Sequence, residues 1–400
     1  MHHVCYDITF QGLAHGGCWP QTGIYWASHR FLQAMIEHVP HQLKWHWAVH
    51  RRLAAFGRNY LHDHRLPGQT EVSVYGSPWL PVQQGRSPEW SRKLLPVWWW
   101  DQCRSTMPRL PEKTLYHSLF LPLPRPARNR ARSLPRVLTL HDVLPLIRPE
   151  WSSRVGVYRT QKTVASIRPD DCIICPSMSA KADACQAAGL NPDHVVVIPW
   201  GVDDPTTFVD EPVGPLPPAV TKPYLLYVGA IEPRKNIRHL LDCFSAWVSQ
   251  EGFDDVSLVL VSPPGPMKQA LQEYARTHPV LARQVCWLGQ QPSPVLGQLL
   301  RQAMMLVHPS LYEGFGLTVL EAMARGTPVV ASSTTACGEV ADEAAWLVDP
   351  TDAEALCQAM HAIATDVGHQ QRLGKLGRLR AQQFSWETTV RQTLKVYQSL

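Results

Sequence analysis

Two glutamates lie in residues 307–332, which read VHPSLYEGFGLTVLEAMARGTPVVAS, with seven residues between them. Glu313 lies in a loop bracketed by glycines, and Glu321 lies one turn into a helix that the pattern predicts from about Leu317. Carboxylates accept hydrogen bonds from hydroxyl groups, glycines let the backbone approach a ligand, and the start of a helix favours a phosphate. This combination suits a ligand that carries hydroxyl groups and phosphate. For an isolated pair, a solvated loop residue and a helix-face residue are the commoner explanation.

Two positive charges stand side by side at Arg234 and Lys235, in the string VGAIEPRKNIRHLL. They come just before Asn236, which we predict to be the N-cap of a helix with apolar residues at helical spacing. Arginine and lysine at such a strand-to-helix turn are placed to bind a diphosphate. An isolated pair of this kind is mostly solvated surface, so the interpretation depends on the glutamates downstream.

A histidine, His141, follows a predicted strand at residues 136–140 in the string LTLHDVLPLIRPEW. The carboxyl end of a parallel strand faces the crevice where such folds bind ligands, and histidine can donate or accept a proton near neutral pH. A capped structural histidine is the alternative. Asp142 either orients His141 or caps the turn that follows.

These candidate residues lie at the ends of predicted strands that alternate with helices, a pattern typical of a parallel α/β sheet. A loop with Gly16, Gly17 and Gly23 follows the first strand but lacks the Gly-x-Gly-x-x-Gly fingerprint of dinucleotide-binding folds. Prolines punctuate residues 205–223, which we interpret as a linker between two domains.

The chain has 400 residues, of which 45% are hydrophobic and 18% charged, and its formal net charge is +5. This composition predicts a globular chain of two domains, and the mild charge argues against dedicated nucleic-acid binding. The N-terminus lacks the pattern of a signal peptide, and no apolar run reaches the roughly 20 residues of a membrane span. We therefore expect a cytoplasmic protein. Cys172 and Cys175 are interpreted as two strand residues rather than a metal site.

Two segments suit either a membrane surface or ordinary folded structure. Residues 76–113 contain Trp98, Trp99 and Trp100 among prolines, and residues 125–136 carry five arginines and no acid. Aromatic rings settle at membrane interfaces, and arginines bind anionic lipid or the phosphates of a lipid-linked molecule. A buried aromatic cluster and a solvated loop are the respective alternatives.

The strings quoted above resemble those of the retaining glycosyltransferases of family 4, which have the two-domain GT-B fold. The resemblance is specific over residues 224–350, good over 136–202 and vague over 50–135. It implies an α/β fold with two Rossmann-like domains facing across a cleft. The first would span residues 1–204 and the second, which binds the nucleotide sugar, residues 224–384. A terminal helix, at about 385–400, would cross back to the first domain.

The resemblance also implies roles for individual residues. As catalytic residues, Glu313 would hold hydroxyls of the transferred sugar and His141 would lie beside that sugar. Glu321 would hold the ribose of the nucleotide, and Arg234 and Lys235 its diphosphate. The remaining donor-binding candidates share a place in two loops that face the donor: Gly23, Gly314, Phe315, Gly316 and Leu317.

The implied reaction moves a hexose from a nucleotide diphosphate sugar to an acceptor hydroxyl. The strings EPRKN and HDVLPL are most similar to mannosyltransferases that use GDP-mannose. The expected acceptor is a glycan on a polyprenyl diphosphate carrier, as in lipopolysaccharide assembly. No Asp-x-Asp stands at a strand end, so we expect no metal and no cofactor, with the cations in place of a metal. The open alternatives are a UDP-sugar or another GDP-sugar donor, an epimerase, a phosphorylase, and a non-catalytic donor-binding subunit.

Overall fold

The structure is a computed structural model of the chain. It describes residues 2–8, 11, 23–50, 54–67, 72–75, 110–111, 113–124, 134–208, 212–221, 223–251 and 253–400. The chain forms two compact units, the first comprising Met1–Trp200 with Trp386–Leu400 and the second Gly201–Ser385.

The first unit is built on a parallel sheet, whose seven described strands run in the order β3-β2-β1-β4-β5-β6-β7. These strands are β1 (His2–Asp7), β2 (Leu43–His50), β3 (Val72–Tyr75), β4 (Thr114–Ser118), β5 (Arg136–Thr139), β6 (Cys172–Cys175) and β7 (Val195–Val197). The helices that accompany them are α1 (Gly23–His38), α2 (Ala54–Asp63), α3 (Leu144–Ile147), α4 (Arg154–Ala165) and α5 (Met178–Ala188).

The second unit is built on a parallel sheet of six described strands in the order β10-β9-β8-β11-β12-β13. These strands are β8 (Tyr224–Val228), β9 (Ser257–Val261), β10 (Val285–Leu288), β11 (Met305–His308), β12 (Val329–Ser332) and β13 (Trp346–Val348). The helices are α6 (Ile237–Glu251), α7 (Pro266–Arg276), α8 (Pro279–Gln284), α9 (Ser293–Gln302), α10 (Leu317–Ala324), α11 (Thr335–Ala341), α12 (Ala353–Thr365) and α13 (Val367–Ala381).

The order of strands reverses once in each sheet, between β1 and β4 in the first unit and between β8 and β11 in the second. Strands buried on both faces read as continuous apolar runs, as in YLLYV of β8 and SLVLV of β9. The predicted α/β fold of two Rossmann-like domains is therefore confirmed. In folds of this kind, ligands bind outside the carboxyl ends of the strands at the point of reversal.

The last helix, α14 (Trp386–Ser399), belongs to the first unit although it follows the second in the chain. Its Thr389 hydroxyl donates to the carbonyl of Pro199 (2.7 Å). The hydroxyl of Tyr397 lies 2.9 Å from that of Tyr6 in β1 and 2.6 Å from Nδ1 of His117 in β4. These contacts are buried, so α14 completes the core of the first unit.

The segment that we interpreted as a linker is part of the second unit in the structure. The backbone N–H of Gly214 donates to Oε1 of Gln298 (2.8 Å), and Nε2 of Gln302 donates to the carbonyl of Gly214 (2.9 Å). Both glutamines lie on α9, so Gly214 is held against that helix. The role of residues 205–223 as a linker stays a prediction.

Cys172 and Cys175 are strand residues of β6, as predicted, and both are buried. Two elements that the sequence did not predict are α2 and β4. Residues 76–109 with their tryptophans, most of the arginine run at 125–133, and Gly16 and Gly17 lie outside the described residues. Among the described helices, none is both long and apolar enough to cross a bilayer.

Candidate active site

The predicted cations and the first predicted glutamate lie together at the point where the strand order of the second sheet reverses. Arg234 and Lys235 follow β8 in a short 3-10 turn, and Glu313 follows β11, which is paired with β8. The backbone N–H of Leu311 donates to the carbonyl of Arg234 (2.7 Å), which ties the two loops together. The structure thus brings the adjacent cations Arg234 and Lys235 together with Glu313, which lies 79 and 78 positions further along the chain.

Glu313 is the centre of this site, and three side chains donate to its carboxylate. Nη1 of Arg234 lies 2.8 Å from Oε2, while Nζ of Lys235 and Nε2 of His308 both bond Oε1, the latter at 2.8 Å. The side chains of Glu313 and Lys235 are 10% exposed and that of Arg234 is 21% exposed, so the ion group is largely removed from water. We call these four residues the Glu313 cluster.

The charges of the cluster set one another's protonation. Burial alone would raise the pKa of Glu313, but Lys235, Arg234 and the hydrogen bond from His308 outweigh it and hold that pKa well below its ordinary value. Burial lowers the pKa of Lys235, as does Arg234, whereas Glu313 opposes both. Glu313 is therefore ionised at neutral pH and balanced by cations that could instead face an anionic ligand.

The backbone of the two loops adopts left-handed conformations at Asn236 (φ 58°) and Gly316 (φ 102°), and so does Thr335 (φ 56°) at the start of α11. Gly316 begins α10, where the first backbone N–H groups of the helix are available to an anion. Thr335 accepts a hydrogen bond from the backbone N–H of Glu313 (3.2 Å) and so fixes the loop. Asn236 stands immediately before α6, at the predicted N-cap position, and its carbonyl accepts a hydrogen bond from the backbone N–H of Leu240 (3.2 Å). Its side-chain amide donates to the carbonyl of Pro350 (2.6 Å).

The remaining donor-binding candidates of this unit lie on the same loop and helix. Gly314, Phe315 and Leu317 occupy the turn from Glu313 into α10, and Phe315 is buried with its ring 6.1 Å from that of Phe384. Glu321 lies one turn into α10 and is half-buried, as the helical spacing predicted. The structure places it on the helix that leaves the Glu313 loop, and its role as a ribose ligand stays a prediction.

His141 lies in the first unit, just beyond β5, and is buried. Its Nε2 donates to the carbonyl of Leu119 (2.8 Å), and its ring stacks on Trp200 with centroids 5.5 Å apart. Burial lowers the pKa of His141, so the ring is neutral at pH 7 with its hydrogen on Nε2. Nδ1 is then the nitrogen that can accept a proton or a hydrogen bond.

The neighbours of His141 decide the two alternatives left open for Asp142. Oδ1 of Asp142 accepts a hydrogen bond from the backbone N–H of Leu144 (3.1 Å), so this aspartate caps the turn into α3. Gly23 is the first residue of α1 in the same unit. Its contact with a donor phosphate stays a prediction.

His308 is the member of the cluster that the sequence analysis missed. It ends β11 and is buried, and its ring stacks on Tyr227 of β8 with centroids 6.0 Å apart. The available signal was its position, since it directly precedes Pro309 and the glycine loop in the string that contains Glu313.

Comparisons with known proteins identify the chain as similar to glycosyltransferases. Residues 222–366 match a family model described as "Glycosyl transferases group 1", and residues 84–204 match one described as "Glycosyltransferase Family 4". O-antigen chain mannosyltransferase B of Escherichia coli is 28% identical over 271 residues, which are 66% of this chain and 70% of that protein. Alpha-maltose-1-phosphate synthase of Mycolicibacterium smegmatis is 30% identical over 291 residues, 67% and 73% respectively.

Solved structures resemble this one in fold. Anabaena HepE, in a crystal structure with UDP and glucose, has a TM-score of 0.66 at 18% identity, with 100% of both chains covered. At this identity the likeness concerns the architecture of two Rossmann-like domains.

Proposed function

The chain belongs to the family 4 glycosyltransferases, and from this membership and the geometry of the Glu313 cluster we propose that it transfers mannose from GDP-mannose to a glycan hydroxyl with retention of configuration. The similarity to O-antigen chain mannosyltransferase B supports mannose as the sugar and a surface polysaccharide as the product. The observation that carries the proposal is the buried carboxylate held between two cations at the reversal point of the second sheet.

The cluster contains the groups that such a transfer requires. As the bond from the sugar C1 to the phosphate oxygen breaks, its electron pair passes to the diphosphate. Arg234, Lys235 and the first N–H groups of α10 are the donors proposed to stabilise that charge, an electrostatic effect that is strong because the groups are preorganised. No cofactor is needed, and the cations are proposed to serve in place of a metal ion.

The acceptor oxygen forms the new bond to C1 in the same proposal. In a front-face displacement, the acceptor proton passes to the departing phosphate oxygen, and no protein nucleophile is required. Glu313 is proposed to hold hydroxyls of the sugar during this step, since an ionised carboxylate is a strong acceptor of hydrogen bonds. His141, neutral with Nδ1 as its acceptor, is proposed to contact the sugar from the first unit.

Nucleotide binding is the direct test of the donor. We expect GDP to raise the midpoint of thermal unfolding more than UDP, ADP or dTDP, because a ligand at ~100 times its Kd stabilises the folded chain by ~2.7 kcal/mol. Turnover of GDP-mannose with and without a glycan acceptor then separates a transferase from an epimerase, which needs no acceptor, and from a donor-binding subunit that does not turn over.

The outcomes distinguish the donor from the site. A shift with UDP alone would contradict GDP-mannose and leave the Glu313 cluster as a nucleotide-sugar site. A shift with none of the four nucleotides would contradict the proposed donor site itself. Activity that EDTA abolishes and magnesium restores would contradict metal independence, and an inverted anomer in the product would contradict retention.

We further propose that the acceptor is a polyprenyl-diphosphate-linked glycan and that the chain works in the cytoplasm, peripherally on the membrane. A described surface of the first unit supports this proposal. Arg148 and Arg154 are exposed there, the guanidinium of Arg148 lies 5.5 Å from the ring centroid of Trp151, and Val155 is exposed. Cations beside aromatic and apolar side chains suit an anionic lipid surface. Failure to sediment with vesicles that contain phosphatidylglycerol would contradict membrane contact.

A further inference from the structure

His308 makes its polar contact with Glu313 from a rigid position. The residue ends β11, its side chain is 1% exposed, and its Nε2 lies 2.8 Å from Oε1 of Glu313. Its ring packs nearly parallel to Tyr227, with an interplanar angle of 14°. A ring held between a strand and an aromatic face cannot turn away as a flexible side chain can.

The chemistry of the ring fixes the direction of this hydrogen bond. Burial lowers the pKa of His308, so the imidazole carries one hydrogen at neutral pH. Because Glu313 is ionised and can only accept, that hydrogen is on Nε2. Nδ1 is buried and has no hydrogen-bond partner among the described residues. An unpaired buried nitrogen costs stability, which points to a role other than stabilising the fold.

The two cations of the cluster, unlike His308, can change partner when a diphosphate binds. Arg234 and Lys235 have long side chains, and Arg234 is partly exposed and also bonds Glu232 (3.0 Å). Phosphate oxygens compete with the Glu313 carboxylate for the same N–H donors. A carboxylate that lost both cations would keep the donor that the strand holds in place.

We propose that His308 is a positioning residue that holds ionised Glu313 in place for the sugar hydroxyls while Arg234 and Lys235 turn to the diphosphate. The inference rests on the proposed function. It predicts that His308 affects binding of the sugar part of the donor, through Glu313, and does not affect binding of the nucleotide part.

The test compares two variants with one control. His308→Phe keeps an aromatic ring and removes the donor, and His308→Gln restores an N–H near the place of Nε2. His361→Phe is the control, because His361 lies in the same unit and its ring packs edge-to-face on that of Phe253. Titration calorimetry measures the dissociation constants of GDP and GDP-mannose. Steady-state rates with a glycan acceptor give kcat.

We expect His308→Phe to leave the affinity for GDP within about twofold of the unmodified chain. Its affinity for GDP-mannose or its kcat should fall about tenfold to a hundredfold, the effect of one hydrogen bond to a charged group. His308→Gln should recover most of this loss, and His361→Phe should resemble the unmodified chain.

Several outcomes would overturn the inference. Equal weakening of GDP and GDP-mannose by His308→Phe would show a structural role, and so would a failure of His308→Gln to recover function. If His308→Phe binds GDP-mannose and turns it over like the unmodified chain, this inference is overturned and the proposed function is unaffected. If the unmodified chain binds UDP instead, UDP and UDP-glucose replace the probes; if it binds neither nucleotide, the proposed function fails as well.

Discussion

Glu313 contacts both cations of the proposed diphosphate site. Arg234 contacts one carboxylate oxygen and Lys235 the other, and the carboxylate is kept ionised by both. Ion pairs that exchange partners with a ligand keep the cations oriented before the ligand binds, so less ordering is needed on binding. His308 is the one donor of the cluster that comes from a strand rather than from the 3-10 turn.

Removal of the second glutamate tests the nucleotide side of the site. Glu321→Ala should weaken GDP binding about tenfold, because the hydrogen bonds of the ribose hydroxyls to the carboxylate would be lost. Titration calorimetry measures this directly. Glu273→Ala, which removes an exposed carboxylate from α7, is the matched control and should bind GDP normally. Unchanged affinity in Glu321→Ala would refute the ribose role.

Removal of the first-unit histidine tests the chemical step. His141→Ala should leave GDP affinity nearly intact and lower kcat by about a hundredfold or more, because losing one preorganised polar contact to the reacting group typically costs that factor. Steady-state rates with saturating GDP-mannose measure it. His62→Ala is the control, since the His62 side chain is 82% exposed in α2. Turnover at the unmodified rate in His141→Ala would exclude the catalytic role.

At the scale of elements, the fold depends on strands that are buried on both sides and on polar contacts at their ends. Arg136 begins β5, and its guanidinium bonds both carboxylate oxygens of Asp171, just before β6, at 2.7 and 2.5 Å. Both side chains are almost completely buried. The pair joins two neighbouring strands, one of which ends two residues before His141.

Asp171→Ala should lower the free energy of unfolding by about 3–5 kcal/mol, because it leaves the buried guanidinium of Arg136 without its partner. Urea denaturation measures the change. The control is Asp254→Ala, which breaks an ion pair with Arg283 whose side chains are 79% and 62% exposed, and which should change stability by less than about 1 kcal/mol. Similar values for the two variants would contradict the assigned importance of burial.

Elements with a clear period were predictable from the sequence, and elements without one were not. The predicted strand at 136–140 is observed as β5 (Arg136–Thr139), and the predicted helix from Leu317 is observed as α10. In contrast, β4 was missed because its sequence TLYHS places histidine and serine inside a sheet, where their partners come from other elements. Tertiary contacts, not local propensity, make that segment a strand.

The sequence predicted the residue types of the candidate site but not the contacts between them. The string around Glu313 and the Arg234–Lys235 pair identified the loops, but nothing in their spacing shows that both cations touch the same carboxylate. His308 was missed because a histidine at the end of an apolar strand has no local signature of its partner. Asn236 stands at the predicted N-cap position, directly before α6, but its left-handed conformation and its hydrogen bond to Pro350 depend on contacts that the local sequence does not show.

At the scale of the whole molecule, the chain returns at its end to the unit where it began. Tyr397 of α14 contacts His117 in β4, and the other nitrogen of His117, Nε2, lies 2.8 Å from the hydroxyl of Thr139 in β5. Burial, with a smaller contribution from His141, lowers the pKa of His117 to about 3. A neutral histidine thus joins two strands to the last helix.

This histidine makes the first unit sensitive to acid. The unfolded chain takes up a proton at His117 near pH 6.5, whereas the folded chain does so only near pH 3. Its contribution is therefore complete above pH 6.5 and is lost as pH falls from 6.5 towards 3. Between pH 7 and pH 5 this loss amounts to about 2 kcal/mol.

His117→Gln should be less stable at pH 7 but should lose less stability between pH 7 and pH 5 than the unmodified chain. Urea denaturation at both pH values measures the difference. His62→Gln, which changes an exposed ring, should follow the unmodified chain. Parallel losses in His117→Gln and the unmodified chain would contradict the assignment.

The return of α14 also separates the order of synthesis from the order of folding. Residues 201–385 form the second unit without interruption, so a ribosome delivers all of it before it delivers α14. Until α14 is made, the surface of the first 200 residues that Val390, Leu394 and Tyr397 later cover stays exposed. At roughly 5–20 residues per second, that delay lasts about 10–40 s. The half of the enzyme that is made first is thus finished last, and it is the half that a nascent-chain chaperone would have to shield.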